Sequence, residues 1–136
     1  MIIKEIKTID EVLKCVPYET RVLSKHRETS KIADLIAFIN NQLENPLFKF
    51  WIAYEDEEIK GYCFGFLNLN SGFKNIHILR IFALSNDARD MLMNTLIETA
   101  SAFGIKKVSI TVKRNIRAFS KKYQFRPVSV NMERGV

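Results

Sequence analysis

Two histidines, two cysteines and a strongly basic last quarter are the features of this 136-residue chain that point toward chemistry. A histidine titrates near neutrality without help from its surroundings, so His26 and His77 are the natural proton carriers. His77 stands inside an apolar run, where the ring either serves a reacting group as a base or completes a hydrogen-bonded core. Cys15 and Cys63 lie 48 positions apart, with neither the close pairing of a redox motif nor the neighbours of a zinc site. Both read as reduced structural thiols. Two histidines leave any metal site to carboxylates, and no metal is expected.

Charge is distributed unevenly. From Lys106 to Val136 nine lysines and arginines face Glu133 alone, although the whole chain carries only +6. The first 105 residues are therefore slightly acidic. A basic end on a near-neutral body fits a phosphate-bearing partner, either a nucleic acid or a phosphorylated cofactor, and also fits a plain solvated surface. Apolar residues make up 47% and charged residues 26%, which excludes a disordered or fibrous chain. The length suits one domain, residues 1–136. The least charged stretch, Gly61 to Gly72, is too short and too interrupted for a membrane span. The start, Met1-Ile2-Ile3-Lys4-Glu5-Ile6, lacks the basic lead and greasy run of a signal peptide, so the chain reads as cytoplasmic.

The elements that must position these residues follow from periodicity. A strand is expected over Ile2 to Lys7, then a helix to about Val16 with Thr8 as cap and Glu11 closing a capping box. Pro17 ends that helix, and Glu19 to Glu28 reads as a connection. A second helix, capped by Thr29 or Ser30, carries Ile32, Leu35, Ile36, Ile39 and Leu43 at helical spacing and stops at Asn45-Pro46. The period then becomes two: Phe48 to Tyr54 and Ile59 to Leu69 form a hairpin around Glu55-Asp56-Glu57-Glu58. Ile76 to Leu84 is apolar enough to be buried on both faces at the sheet centre. Ser85-Asn86-Asp87 caps a long helix with a stripe of Leu92, Met93, Leu96, Ile97, Ala100 and Phe103, and Gly104 ends it. Lys106 to Lys113 is a strand parallel to its predecessor, followed by a helix over Asn115 to Tyr123 and a strand over Val128 to Met132. The fold class is α/β (α+β), in the order β-α-α-β-β-β-α-β-α-β.

That order resembles the GNAT superfamily of acetyl-CoA-dependent N-acetyltransferases. Gly104 to Asn115 looks like the family's helix end, fifth strand and following asparagine, and Asn115 to Phe125 is similar to its asparagine, alanine, tyrosine, glycine and phenylalanine signature. Phe48 to Leu69 is similar to its second and third strands. The resemblance implies a mixed central sheet flanked by helices, acetyl-CoA as cofactor, and acetyl transfer to an amine on a small molecule or a protein. It assigns the backbone of Phe82, Ala83 and Leu84 to the pantetheine arm. The turn with Asn86, Asp87, Ala88, Arg89 and Asp90 falls to the pyrophosphate. Asn115 joins the cofactor set.

Two departures stand out against that family. Its helix start normally carries glycines that let the backbone close on phosphates, whereas Leu84-Ser85-Asn86-Asp87-Ala88-Arg89-Asp90 has none and the turn is some four or five residues short. Asp87 and Asp90 would repel the phosphates, with Arg89 alone to compensate. Second, the family's general acid, a tyrosine five residues before the closing phenylalanine, is replaced by Ser120, whose hydroxyl is a poor proton donor. Tyr123, three positions on, would point about 60° away along a helix. Gln124 stands in place of the family's glycine. His77 is the candidate base. Trp51, Tyr54, Tyr62, Phe64 and Phe66 read first as core and second as the lining of an acceptor pocket.

The alternative is a catalytically inactive GNAT-fold binding or assembly protein, contacting nucleic acid through its basic C-terminal part. No membrane partner is expected, and a homodimer is compatible with either reading.

Overall fold

The computed structural model describes residues 1–25, 31–70 and 72–110. Strand β1 (Ile2–Glu5) leads into α1 (Ile9–Leu13). Thr8 is the N-cap residue, but its side chain makes no capping bond. The expected capping box does not form, because Glu11 is taken by Lys4 of β1, at 3.0 Å from Nζ to Oε2.

Pro17 does not end the helical layer. After one turn at Lys14-Cys15 the chain restarts as α2 (Val16–Lys25), so Glu19 to Lys25, the described part of the stretch read as a connection, is helix. Proline is tolerated there because it falls in the first turn, where an amide hydrogen has no intrahelical partner to lose. Helix α3 (Ile32–Gln42) follows, with Lys31 at its N-cap; the expected caps Thr29 and Ser30 lie outside the described residues. The Asn45 side chain accepts a bond from the Leu47 amide at 3.0 Å, which turns the chain around Pro46 into the sheet.

Strands β2 (Phe48–Glu55), β3 (Glu58–Asn68) and β4 (Asn75–Ala83) form the antiparallel meander read from their alternation. Asp56 and Glu57 hold φ of 51° and 67°, the pair of left-handed residues that a two-residue hairpin loop needs. Helix α4 (Asn86–Ala102) crosses over to β5 (Val108–Ile110), which is parallel to β4 as expected. Gly104, at φ 69°, stops α4, and the Ile105 amide closes back on the Ala100 carbonyl at 2.7 Å. The strand order in the sheet is β1-β2-β3-β4-β5. The expected final helix and strand lie outside the described residues.

Each face of the sheet carries its own core. Ala88, Leu92, Met93, Leu96 and Ala100 of α4 pack on Ala53, Cys63, Ile76 and Ile78. Helices α1 to α3 bring Val12, Cys15 and Ile39 against Phe48, Phe50, Ile52, Tyr62 and Phe64 on the opposite face. Two expectations need correction. Ile97 is 54% exposed, because it sits about 100° around the helix from Leu96 and leaves the seated stripe. Strand β4 is fully buried only at Ile76 and Ile78; from Leu79 onward it is partly open, for a reason found in its register.

Candidate functional site

The register of β4 against β3 shifts by one residue. Phe64 pairs with Arg80 and Gly65 with Ile78, so Leu79 has no partner on β3. This is a β-bulge, and an extra residue moves every later side chain to the opposite face. Ile76 and Ile78 accordingly sit in the α4 core, whereas Phe82, four residues beyond Ile78, packs on the other side against Tyr62 at 5.3 Å and Tyr18 at 5.7 Å between ring centroids. Gly65 makes the bulge sterically possible: a β-carbon there would run into the His77 carbonyl. Gly61 lets the two strands approach closely further on, where a β-carbon would stand 2.7 Å from the Phe82 carbonyl oxygen.

The switched face carries Arg80 toward α2. Its Nε lies 3.1 Å from Glu19 Oε1, and the Tyr62 hydroxyl donates to that same oxygen at 2.5 Å. Glu19 is the one buried charged residue among those described, at 5% exposure. Charge pairing with Arg80 and the tyrosine bond offset the cost of burying its carboxylate. Arg80 Nε is too poorly aligned to hydrogen-bond, so it and Glu19 Oε2 have no hydrogen-bond partner among the described residues. Burial and then the Glu19 charge push the Tyr62 phenol far above its ordinary range, which keeps it a donor. The Cys15 thiol is pushed up to about 12 by burial and then by Glu19, and Cys63 upward by burial alone. Both cysteines are buried and free of any disulfide, which leaves them unreactive.

His77 lies on the other side of the bulge, paired in register with Ser109 of β5. Its Nδ1 is 2.8 Å from Ser109 Oγ, which also accepts a bond from Asn75 Nδ2 at 2.9 Å. The Ile76 carbonyl, at 3.5 Å, is a far poorer acceptor for the serine hydrogen. Two proton arrangements fit this contact: the hydroxyl donates to Nδ1, or Nδ1–H donates to the hydroxyl, which then donates to the Ile76 carbonyl. Burial lowers the His77 pKa, so the ring is neutral at pH 7.

The other predicted residues that the structure describes cluster about 16 Å further along β4 from His77. Phe82 and Ala83 close the strand, and Leu84 is half exposed. Asn86, Asp87, Ala88, Arg89 and Asp90 form the first turn of α4. The Ser85 side chain accepts the Ala88 amide at 3.1 Å, and Ala88 itself is wholly buried. Asn115, Ser120 and Tyr123 lie outside the described residues. Beside Leu84 opens a groove of about 550 Å³ lined by Lys14, Tyr18, Tyr54, Ile59 and Lys60. No three His, Cys, Asp or Glu side chains among the described residues are grouped to hold a metal ion.

Sequence reading missed Glu19, Tyr62 as a donor, and Arg80. The available signal was Arg80, a lone charge in an apolar run, which demands a partner when buried.

The geometry bears on coenzyme A, the cofactor that the sequence resemblance implies. Its thioester half would meet β4 at the bulge, where Leu79 has no partner on β3 and β5 runs parallel alongside, and this part fits. Its diphosphate would meet a helix start that is already capped by Ser85 and already carries Asp87, and this part does not fit.

No protein-family model matches the chain, and no curated protein matches it in sequence. Solved structures do. A predicted acetyltransferase with acetyl-CoA from Clostridium acetobutylicum is similar at TM-score 0.76 and 18% identity, over 99% of this chain and 94% of that one. A transcriptional regulator from Bacillus halodurans C-125 gives 0.81 and 17%, over 99% of each chain. An aminoglycoside acetyltransferase from an uncultured soil metagenomic sample, in complex with sisomicin, gives 0.60 and 12%, over 99% and 91%. What such low identities share is architecture: the chain has the α/β fold of these solved structures, acetyltransferases among them. No described helix is long and apolar enough to cross a membrane.

Proposed function

We propose that the chain is a GNAT-like N-acetyltransferase that moves an acetyl group from acetyl-CoA to an amine on a small molecule or protein. The observation that carries this reading is the bulge at Leu79, next to the parallel β4–β5 pair and fixed by Gly65. A bulge costs a ladder bond and persists where the freed backbone has a use, and bulges concentrate beside active sites. In this reading the main chain of Phe82, Ala83 and Leu84 receives the donor's arm, and Asn115 belongs to the same cofactor-binding set. His77 is the candidate base, and Ser120 and Tyr123 are the candidate acids. The fold it shares with a structure holding acetyl-CoA and with one holding an aminoglycoside supports the same donor and acceptor classes.

Melting the protein with millimolar acetyl-CoA, and following thiol release with a panel of primary amines, tests the proposal. A ligand present at a hundred times its dissociation constant stabilises a fold by about 2.7 kcal/mol, which is roughly 10 °C for a domain of this size. The expected result is a rise in melting temperature together with amine-dependent thiol release. An unchanged melting temperature and no release would overturn the reading.

A second reading, a GNAT-fold binding protein without catalysis, is favoured by the self-capped start of α4 and by the fold's similarity to a transcriptional regulator. Nucleic-acid binding by the basic C-terminal part would then weaken steeply with salt.

A further inference from the structure

Resting on the acetyl-transfer reading, we infer that this chain recognises its donor as an acyl-pantetheine thioester, with the nucleotide diphosphate of coenzyme A contributing nothing at the start of α4. The connection from β4 to α4 is only Leu84 and Ser85, and the sequence has no glycine between Gly72 and Gly104. A diphosphate cradle needs successive amides turned toward one point, which takes a longer and more permissive loop. Here three of the amides at the turn are already spent. The Leu84 N–H donates to the Lys60 carbonyl at 2.8 Å, tying the connection to β3. The Ala88 N–H donates to Ser85 Oγ at 3.1 Å, and the Arg89 N–H to the Ser85 carbonyl at 3.2 Å.

The helix end also supplies its own anion. Asp87 stands in the first turn, where a carboxylate complements the macrodipole as a phosphate would, and it repels any phosphate that approaches. Nor can the turn swing open, because Ala88 is fully buried and packs in one core with Leu92 and Ile78. The thioester half keeps its site, because the bulge at Leu79 and the β4–β5 pair are set by the register of β4 against its neighbouring strands. The thioester reaches such a site equally on coenzyme A or on the phosphopantetheine of a carrier protein.

Calorimetric titration of the full chain with coenzyme A, pantetheine and ADP tests this. The expected result is dissociation constants for coenzyme A and pantetheine within about tenfold of each other, and no displacement of coenzyme A by millimolar ADP. Coenzyme A binding more than about tenfold tighter than pantetheine, or displacement by ADP, would overturn the inference while leaving acetyl transfer standing. Failure of both coenzyme A and pantetheine to bind would remove acetyl transfer and this inference together. Comparing acetyl-CoA with an acetylated carrier protein as donor distinguishes the sources: a faster rate with the carrier places the thioester there, and equal rates place it on the free cofactor.

Discussion

The two faces of the sheet are held by different physics. Toward α4 the contacts are mostly aliphatic: Leu92, Leu96, Ile76 and Ile78 are all buried, with Trp51 as the aromatic member of the cluster. Such burial is strong and non-directional, so it fixes how tightly α4 sits more than where each atom lies. Toward α1, α2 and α3 the contacts are aromatic, with rings of Phe48, Phe50, Tyr62, Phe64 and Phe66 at centroid separations of 5.1 to 6.2 Å. That face also encloses Glu19, clamped by Tyr62 and Arg80. Directional contacts fix α2 in register against the sheet. The bulge at Leu79 is where β4 passes from the first environment to the second. One face supports, the other positions, and the candidate site lies at the crossing.

Three experiments would break or sharpen that contrast. Leu96 is wholly buried on the aliphatic face, and Leu96→Ala should destabilise the fold by about 3–4 kcal/mol through lost burial and the cavity left behind. Urea unfolding reads this directly, and a loss below about 1 kcal/mol would mean that α4 is not seated as described. Tyr62→Phe keeps the ring stack and removes only the bond to Glu19 Oε1. The buried carboxylate then retains Arg80 alone, for a cost of about 2 kcal/mol. An unchanged stability would show that the aromatic face needs no polar clamp.

The smallest effect concerns His77. Its folded pKa lies below the ordinary value, so the unfolded chain binds the proton more readily, and the stabilisation is complete above about pH 6.5. It should be lost as pH falls from there toward the folded pKa. In His77→Gln that acid slope in unfolding midpoint should flatten, whereas an identical slope in both proteins would place the titration elsewhere.

Much of the frame could be read from residue order, and the reason is locality. The alternation of Phe48 to Tyr54, the change of period after Ser85 and the stop at Gly104 depend on neighbours within a turn or two, so the meander, α4 and the parallel crossover follow from spacing. The missing glycines around Asp87 were equally visible, since loop chemistry is written in adjacent residues. Helix α2 was not, because Pro17 opens a helix as readily as it ends one, and only packing on the sheet chooses.

The site was legible in part. His77 and the β4–α4 turn stand out by type and position. The clamp of Glu19, Tyr62 and Arg80 does not, because each residue alone resembles a surface charge or a strand aromatic, and only pairing across three elements makes its burial affordable. The bulge is further still from the sequence: it is a property of register between β3 and β4, decided by where Gly65 lets the backbones close. The sequence by itself set most of the elements, their order and the glycine-free, aspartate-bearing start of α4, since those rest on short-range sterics and hydrogen bonding. Only the tertiary structure decided which face Arg80 and Phe82 occupy, because a one-residue offset between strands reverses every side chain beyond it.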